Sequence, residues 1–288
     1  MEQLKVALPS RGRLRRPTLA LLARAGLAVQ HANNRSLISP TIDPRFLAFF
    51  VRPSDVPAIV SSGAADVGIT GHDYVVESGA DVVELLDLGF GKARLVVAAP
   101  TWSELRSLED FREGTRVATK YPRIASRFFE EVGKSVKIVK VSGSVEVMPA
   151  LGVADAVLDV ESSGATLRLH GLEPLVKVMD TSARLIANSS ALETKRGLIE
   201  ELRLALKSVV DAEEKVWILM NVPERSLREV LSVLPSMAGP TLAKVEAPEP
   251  MWEVNTVVPM ESVYRVILEA KKRGARDILV LHLERVIP

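Results

Sequence analysis

Asp155-Ala156-Val157-Leu158-Asp159-Val160-Glu161-Ser162-Ser163-Gly164-Ala165-Thr166-Leu167-Arg168 decides the fold, because it joins a buried strand to a polar glycine turn and a helix start. Ala156, Val157, Leu158 and Val160 make the nearly continuous apolar run of a strand covered on both faces, as in a parallel sheet. Side chains alternate along a strand, so Asp155, Asp159 and Glu161 share one side, and the spacing predicts that they line its carboxyl end. Open α/β sheets bind ligands at that end. Ser162, Ser163, Gly164 and Thr166 then offer hydroxyl donors and an approachable backbone at a helix start, whose positive dipole end favours a phosphate. Two readings stand side by side. One is a cradle for a phosphorylated sugar, with the carboxylates taking hydroxyls or a metal ion. The other is an ordinary helix cap in Ser163 and an ordinary strand end in Asp159.

Outward from this stretch, the chain repeats itself. Gly152-Val153-Ala154-Asp155 echoes Gly63-Ala64-Ala65-Asp66. The strand Thr115–Thr119, the helix Ile124–Val132 and the strand Val136–Val139 answer Leu4–Leu8, Pro17–Ala25 and Phe46–Val51. Ser54 is expected to cap a helix through Val60, and Val67–Gly71 to be a strand with Asp73 just beyond it. Ala93-Arg94-Leu95-Val96-Val97-Ala98 matches Ala183-Arg184-Leu185-Ile186-Ala187-Asn188. Strands alternating with helices require parallel sheets with right-handed crossovers. Two α/β lobes follow, with a cleft between their carboxyl ends and chain crossings near residues 95–100 and 180–188. A long helix is predicted from Glu193 to Val216. Beyond it, Val216–Val222, Ser226–Leu234, Thr241–Val245, Trp252–Val258, Ser262–Lys272 and Asp277–Leu281 spell βαββαβ, the ferredoxin-like α+β order.

Composition narrows the function. A chain of 288 residues is long enough for two or three domains. The net charge of +1 and an aromatic share of 5% leave neither a global field nor stacking platforms for nucleic acid, so that any affinity for phosphate is local. With no cysteine, disulfides and thiolate chemistry are excluded. No apolar run approaches the roughly 20 residues of a membrane helix, and the chain enters a strand pattern directly after Met-Glu-Gln, so the expectation is a cytoplasmic protein without membrane or nucleic-acid partners. His31, His72, His170 and His282 are too scattered for a local metal motif.

The acid-x-acid-Ser-Ser-Gly-x-Thr pattern after an apolar strand resembles the phosphoribosyl-pyrophosphate loop of phosphoribosyltransferases. Four further motifs occur in order: Leu8-Pro9-Ser10-Arg11-Gly12-Arg13-Leu14, Asp66-Val67-Gly68-Ile69-Thr70-Gly71-His72-Asp73, Ala118-Thr119-Lys120-Tyr121-Pro122 and Ser142-Gly143-Ser144-Val145-Glu146. With them, essentially the whole chain resembles the long form of the ATP phosphoribosyltransferase family, the first enzymes of histidine biosynthesis. The resemblance implies a two-lobed periplasmic-binding-protein-like catalytic unit plus a C-terminal ferredoxin-like regulatory domain. Lobe 1 would comprise residues 1–95 and 181–213, lobe 2 residues 96–180, and the regulatory domain residues 214–288. It also implies a reaction in which adenine N-1 of ATP attacks ribose C-1 of phosphoribosyl pyrophosphate and pyrophosphate leaves. Such a site needs carboxylates near the developing sugar cation, and Mg²⁺, Arg or Lys near the leaving group.

By resemblance, Asp159 and Glu161 are the catalytic carboxylates, and Ser162, Ser163, Gly164, Ala165, Thr166 and Leu167 wrap the 5′-phosphate. Arg11, Gly12, Arg52, Asp73 and Lys92 are expected to hold ATP or pyrophosphate from the other lobe, with Mg²⁺ carried by the substrate. Plainer roles stand beside these: a strand-end charge for Arg52 before Pro53, a turn for Lys92, and a helix start for Lys120-Tyr121-Pro122. Histidine is implied as inhibitor at Asn221, Met237, Gly239, Thr241 and Ala275, and the assembly as a homo-oligomer, dimer to hexamer. Some family members carry an acid at the position of Asn221 and a serine at that of Gly239. The two-lobed fold also serves solute-binding and ligand-sensing proteins, from which the diol-plus-phosphate cradle separates this chain.

Overall fold

A computed structural model of the chain describes residues 3–30, 37–162, 164–235 and 239–287. Two compact units emerge, one comprising Leu27–Arg203 with the chain up to Ala23, the other Leu204 onward with Arg24–Gly26.

The first unit holds two sheets. In spatial order the first runs Ile38–Pro40, Phe46–Val51, Leu4–Pro9, Val67–Gly71, Ala183–Ala187 and Val83–Asp87. The second runs Leu172–Thr181, Ala93–Pro100, Ala156–Glu161, Thr115–Thr119 and Val136–Lys140. Leu4–Pro9 pairs in parallel with both Phe46–Val51 and Val67–Gly71, and Thr115–Thr119 does the same with Val136–Lys140 and Ala156–Glu161. The two segments that echo each other in sequence are exchanged. Ala93–Pro100, from the first half, lies antiparallel on Ala156–Glu161, and Ala183–Ala187, from the second half, lies antiparallel on Val67–Gly71. The second sheet is covered on both sides, as its apolar runs require. Leu95, Val97, Val117 and Leu158 pack with Tyr121, Ile124 and Phe129, whereas Val96, Ala98, Ala118 and Val157 pack with Val145, Leu167 and Leu172. Adjacent residues of one strand thus enter different cores, the period-two rule of a pleated strand.

The second unit is one sheet in the order Thr241–Val245, Met251–Pro259, Lys215–Pro223, Arg276–His282, with every pair antiparallel. Helices Leu227–Leu231 and Val263–Lys272 complete the βαββαβ order. Val216, Ile218, Met220 and Val222 alternate inward and meet Val254, Val258, Val266 and Ala270.

Several elements differ from expectation. Ser54 does not cap a helix: it sits in a tight turn, donates to Asp55, and the helix Val56–Ser61 carries Pro57 in its first turn, whose missing N–H needs no cap. The long helix predicted from Glu193 is two helices, Ser189–Thr194 and Arg196–Glu213. Asn188 caps the first by accepting from Ala191 N, and Lys195 breaks the run while its ammonium reaches Gln3 O and Asp66. In the second unit the helix starts at Leu227 rather than Ser226, after a short turn. Strands Val83–Asp87 and Leu172–Thr181 escaped the sequence reading because charged residues such as Glu84, Glu173 and Lys177 interrupt their apolar pattern. No described helix is long and apolar enough to cross a membrane.

Candidate active site

The strand Ala156–Glu161 lies in the middle of its sheet, and Ala156, Val157 and Leu158 are wholly buried. Its last turn of side chains carries the charge. Glu161 stands directly opposite Arg94 on the crossing strand, and the Arg94 guanidinium grips its carboxylate, which is 5% exposed. On the other flank Lys120, just past the strand Thr115–Thr119, places its ammonium 3.1 Å from Asp159. Each strand-end carboxylate therefore faces a cation supplied by a neighbouring strand. Asp155 is different. It sits at the opposite end of the strand, held by Arg116 at 2.7 Å, beside a cavity of about 520 Å³ that also includes Trp102. The Arg116 hydrogen bond pulls the Asp155 carboxyl below its ordinary range. The expectation that Asp155 joins the other two carboxylates is corrected: it precedes the strand, and parity alone does not say at which end a side chain lies.

Gly164 opens the short helix Ala165–Leu169 at φ 71°, and a Cβ there would lie 2.5 Å from Arg168 Nη1 and 2.7 Å from Glu161 Oε1. Only glycine suits both the backbone and the space. Ala165 and Thr166 are exposed, whereas Leu167 is buried in the lobe core and anchors the helix, so that its backbone alone remains for a ligand. Ser162 is exposed and Ser163 lies outside the described residues.

Across the cleft, Arg11 and Gly12 turn the chain after Leu4–Pro9, and Arg52 follows Phe46–Val51. With Lys120, Lys140 and Ser142 they line a cavity of about 660 Å³, where four cationic side chains meet one described carboxylate, Glu77. An adjoining space of about 330 Å³ connects Arg11, Gly12, Arg13 and Lys120 to Ser162. A third, of about 410 Å³, brings Lys92 and Arg94 to Glu161, Ser162 and Arg168. Polyanion recognition suits such a surface.

Asp73, expected among the ligands of ATP or pyrophosphate, borders the 330 Å³ space although it is only 1% exposed. Its carboxylate accepts the Tyr121 hydroxyl at 2.6 Å and the Thr181 hydroxyl at 2.8 Å, with Arg13 at 3.9 Å. Burial, then the adjacent Asp73 charge, pushes the Tyr121 phenol far above its ordinary range and keeps it a donor.

The chain that carries these carboxylates, this glycine turn and this cationic cleft has relatives of known family. The family model of ATP phosphoribosyltransferase matches residues 52–208, and that of the family's C-terminal domain matches residues 212–285. The chain belongs to the ATP phosphoribosyltransferase family. It is 49% identical to the ATP phosphoribosyltransferase of Ignicoccus hospitalis over 99% of this chain and 100% of that one. With the ATP phosphoribosyltransferase of Methanopyrus kandleri it shares 47% identity over 98% and 99% of the two chains. A solved ATP phosphoribosyl transferase (HisG:HisZ) complex from Thermotoga maritima contains a chain 28% identical to it, with a TM-score of 0.63, covering 73% of this chain and 99% of that one. The protein is thus a pentosyltransferase of the first step of histidine biosynthesis.

Sequence reasoning missed Arg94 as the partner of Glu161, although the internal echo held the signal. Arg94 and Arg184 occupy matching positions, and Arg184 likewise meets two acids, Glu84 and Asp87. Lys140 carried no signal, since a lysine ending a half-exposed strand reads as surface charge.

The regulatory candidates lie in the second unit. Asn221 donates to Asp277 at 3.0 Å and stands beside Arg276 in register. Thr241 pairs with Asn255, one strand further away, so roughly 10 Å of sheet separates its strand from that of Asn221. Gly239 is exposed at φ 128°, Ala275 is buried, and Met237 lies outside the described residues.

Proposed function

We propose that the cleft joins adenine N-1 of ATP to ribose C-1 of phosphoribosyl pyrophosphate with inversion. The nitrogen lone pair forms the new bond as the C-1–oxygen bond breaks, and pyrophosphate departs with that electron pair. Glu161 and Asp159 stabilise the positive charge that builds on the ribose ring. Ser162, Ser163, Thr166 and the backbone of Gly164, Ala165 and Leu167 hold the 5′-phosphate. Arg11, Gly12, Arg52 and Lys92 hold ATP and the departing pyrophosphate, joined by Lys120 and Lys140. Asp73, at the edge of the same space, acts chiefly as a strut, because both its oxygens already accept hydroxyls.

The observation that carries this reading is the pairing of Glu161 with Arg94 and of Asp159 with Lys120. A substrate bearing both cationic character and phosphate can draw each pair apart, the carboxylate towards the sugar and the cation towards the phosphates. Among the described residues no three acids or histidines converge as a metal cage. In this reading Mg²⁺ arrives on phosphoribosyl pyrophosphate, where it would neutralise the leaving group.

The second unit senses histidine and inhibits the cleft. The spacing of Asn221 and Thr241 favours a site completed between copies of the chain in a homo-oligomer, with the enzyme working in the cytoplasm. Purified protein with ATP, phosphoribosyl pyrophosphate and Mg²⁺ is expected to form phosphoribosyl-ATP, and its absence would refute the transfer reading. Added histidine is expected to inhibit the parent, and Thr241→Ala to blunt that inhibition without changing uninhibited turnover.

A further inference from the structure

The helix Pro122–Glu131 begins without a cap of its own. Tyr121 occupies the capping position and has no side-chain oxygen within reach of the first turn. Pro122 has no N–H to satisfy, but Arg123 and Ile124 do, and first-turn N–H groups left without partners are costly. Their partner comes from the other lobe. Glu77, on the helix His72–Ser78 that follows the lobe 1 strand Val67–Gly71, accepts Arg123 N at 3.2 Å with one oxygen and Ile124 N at 3.0 Å with the other.

Further contacts join the same helices, among them the Tyr121 hydroxyl on Asp73. Gly79 ends the lobe 1 helix at φ 59°, and the Arg123 guanidinium lies so close that a Cβ there would be 2.2 Å from Arg123 Nη1. The rings of Tyr74 and Tyr121 pack at 5.8 Å between centroids. Lys120, which faces Asp159, immediately precedes this capped helix start, and its ammonium lies 5.2 Å from the Tyr121 ring. Glu77 itself lines the cationic cavity with Arg11 and Lys120.

We infer that Glu77 is a positioning residue for the transfer reaction: by capping the helix of the opposite lobe it latches the lobes at the separation that sets Lys120 and the phosphate loop across from Arg11. This rests on the cleft being the transfer site. A latch of this kind acts before chemistry. Without it the lobes spend less time at the productive separation, and substrates must draw them together, which lowers apparent affinity by the fraction of time lost. Once both substrates are bound, the reacting groups are those of the parent.

The test combines Glu77→Ala and the milder Glu77→Gln, which keeps one acceptor oxygen but places an N–H donor where the second oxygen was. Hydrogen exchange at the Arg123 and Ile124 amides is expected to quicken about tenfold or more in Glu77→Ala. KM for ATP and phosphoribosyl pyrophosphate is expected to rise about tenfold with kcat within about twofold, and Glu77→Gln to fall between. Faster exchange and a lower melting temperature with unchanged KM would overturn the inference, leaving Glu77 a structural cap. So would a loss confined to kcat. Should Glu77→Ala fail to fold, the same readings on Glu77→Gln decide. If the parent makes no phosphoribosyl-ATP, the transfer reading fails, while amide exchange still reports whether Glu77 holds the helix.

Discussion

Val67–Gly71 and Ala156–Glu161 are the same strand in two copies, alike where they begin and unlike where they end. Asp66 accepts Lys5 N at 2.7 Å and Asp155 accepts Arg116 N at 2.8 Å, so each copy ties its start to the neighbouring parallel strand by one carboxylate. Each of these acids also holds a cation, Lys195 in lobe 1 and Arg116 in lobe 2. At the other end the copies part. Lobe 1 runs directly into the helix His72–Ser78 and buries Asp73 under Tyr121 and Thr181. Lobe 2 reaches its helix through Gly164 and leaves Glu161 beside a cavity and Asp159 partly exposed, each held by one cation. A duplicated frame thus keeps the bonds that close the sheet. The side chains of its ligand end are free to diverge, because the ladder there is made by backbone groups.

The sharpest way to break this comparison is to neutralise one acid in each copy. Glu161→Gln is expected to lower turnover roughly 100-fold, with the melting temperature little changed. Equal turnover in the variant and the parent would remove Glu161 from the chemistry. Asp73→Asn should do the reverse, costing about 1–3 kcal/mol in chemical denaturation because one buried hydroxyl loses its acceptor. Were Asp73→Asn to spare stability and abolish ATP binding instead, Asp73 would be a ligand and the two ends would be alike. Thr166→Ala is expected to weaken phosphoribosyl pyrophosphate binding by about 1–3 kcal/mol in calorimetry without moving the melting temperature.

Alkaline pH sharpens the lobe 1 end. The folded chain keeps the Tyr121 proton that the unfolded chain releases above about pH 10. This contribution is therefore complete below that pH and is lost as pH rises beyond it. Tyr121→Phe is expected to flatten the alkaline side of a stability profile, and an unchanged profile would show that burial beside Asp73 does not hold the phenol protonated. The smallest effect belongs to the shared beginnings. The Asp155 carboxyl is lowered by Arg116, so its contribution is present above about pH 3.9 and fades as pH falls through the folded value. With both side chains substantially exposed, Asp155→Asn should cost less than about 1 kcal/mol, a slight loss seen above about pH 3.9 that disappears at lower pH.

Much of this comparison was written locally in the chain. The apolar run at residues 156–158, the glycine that must adopt positive φ at Gly164, and the repeated Gly-x-Ala-Asp each depend on neighbours in sequence, and each is legible there. The βαββαβ order of the second unit is local in the same sense, since it follows from hydrophobic period and from the prolines and glycines between elements.

What the tertiary structure alone decided are the partners that come from far along the chain. Arg94 meets Glu161 because a strand from the first half is exchanged into the second sheet at one particular register. Asp73 is buried at the edge of the cleft because Tyr121 and Thr181 arrive from distant segments to cover it. Pro122–Glu131 could be predicted as a helix from its own residues, but its cap could not, because Glu77 belongs to the other lobe. The physical reason is one of range: backbone preference and hydrophobic period act over a few residues. The pairing of a buried charge or an orphan N–H is settled only when distant elements pack and exclude water.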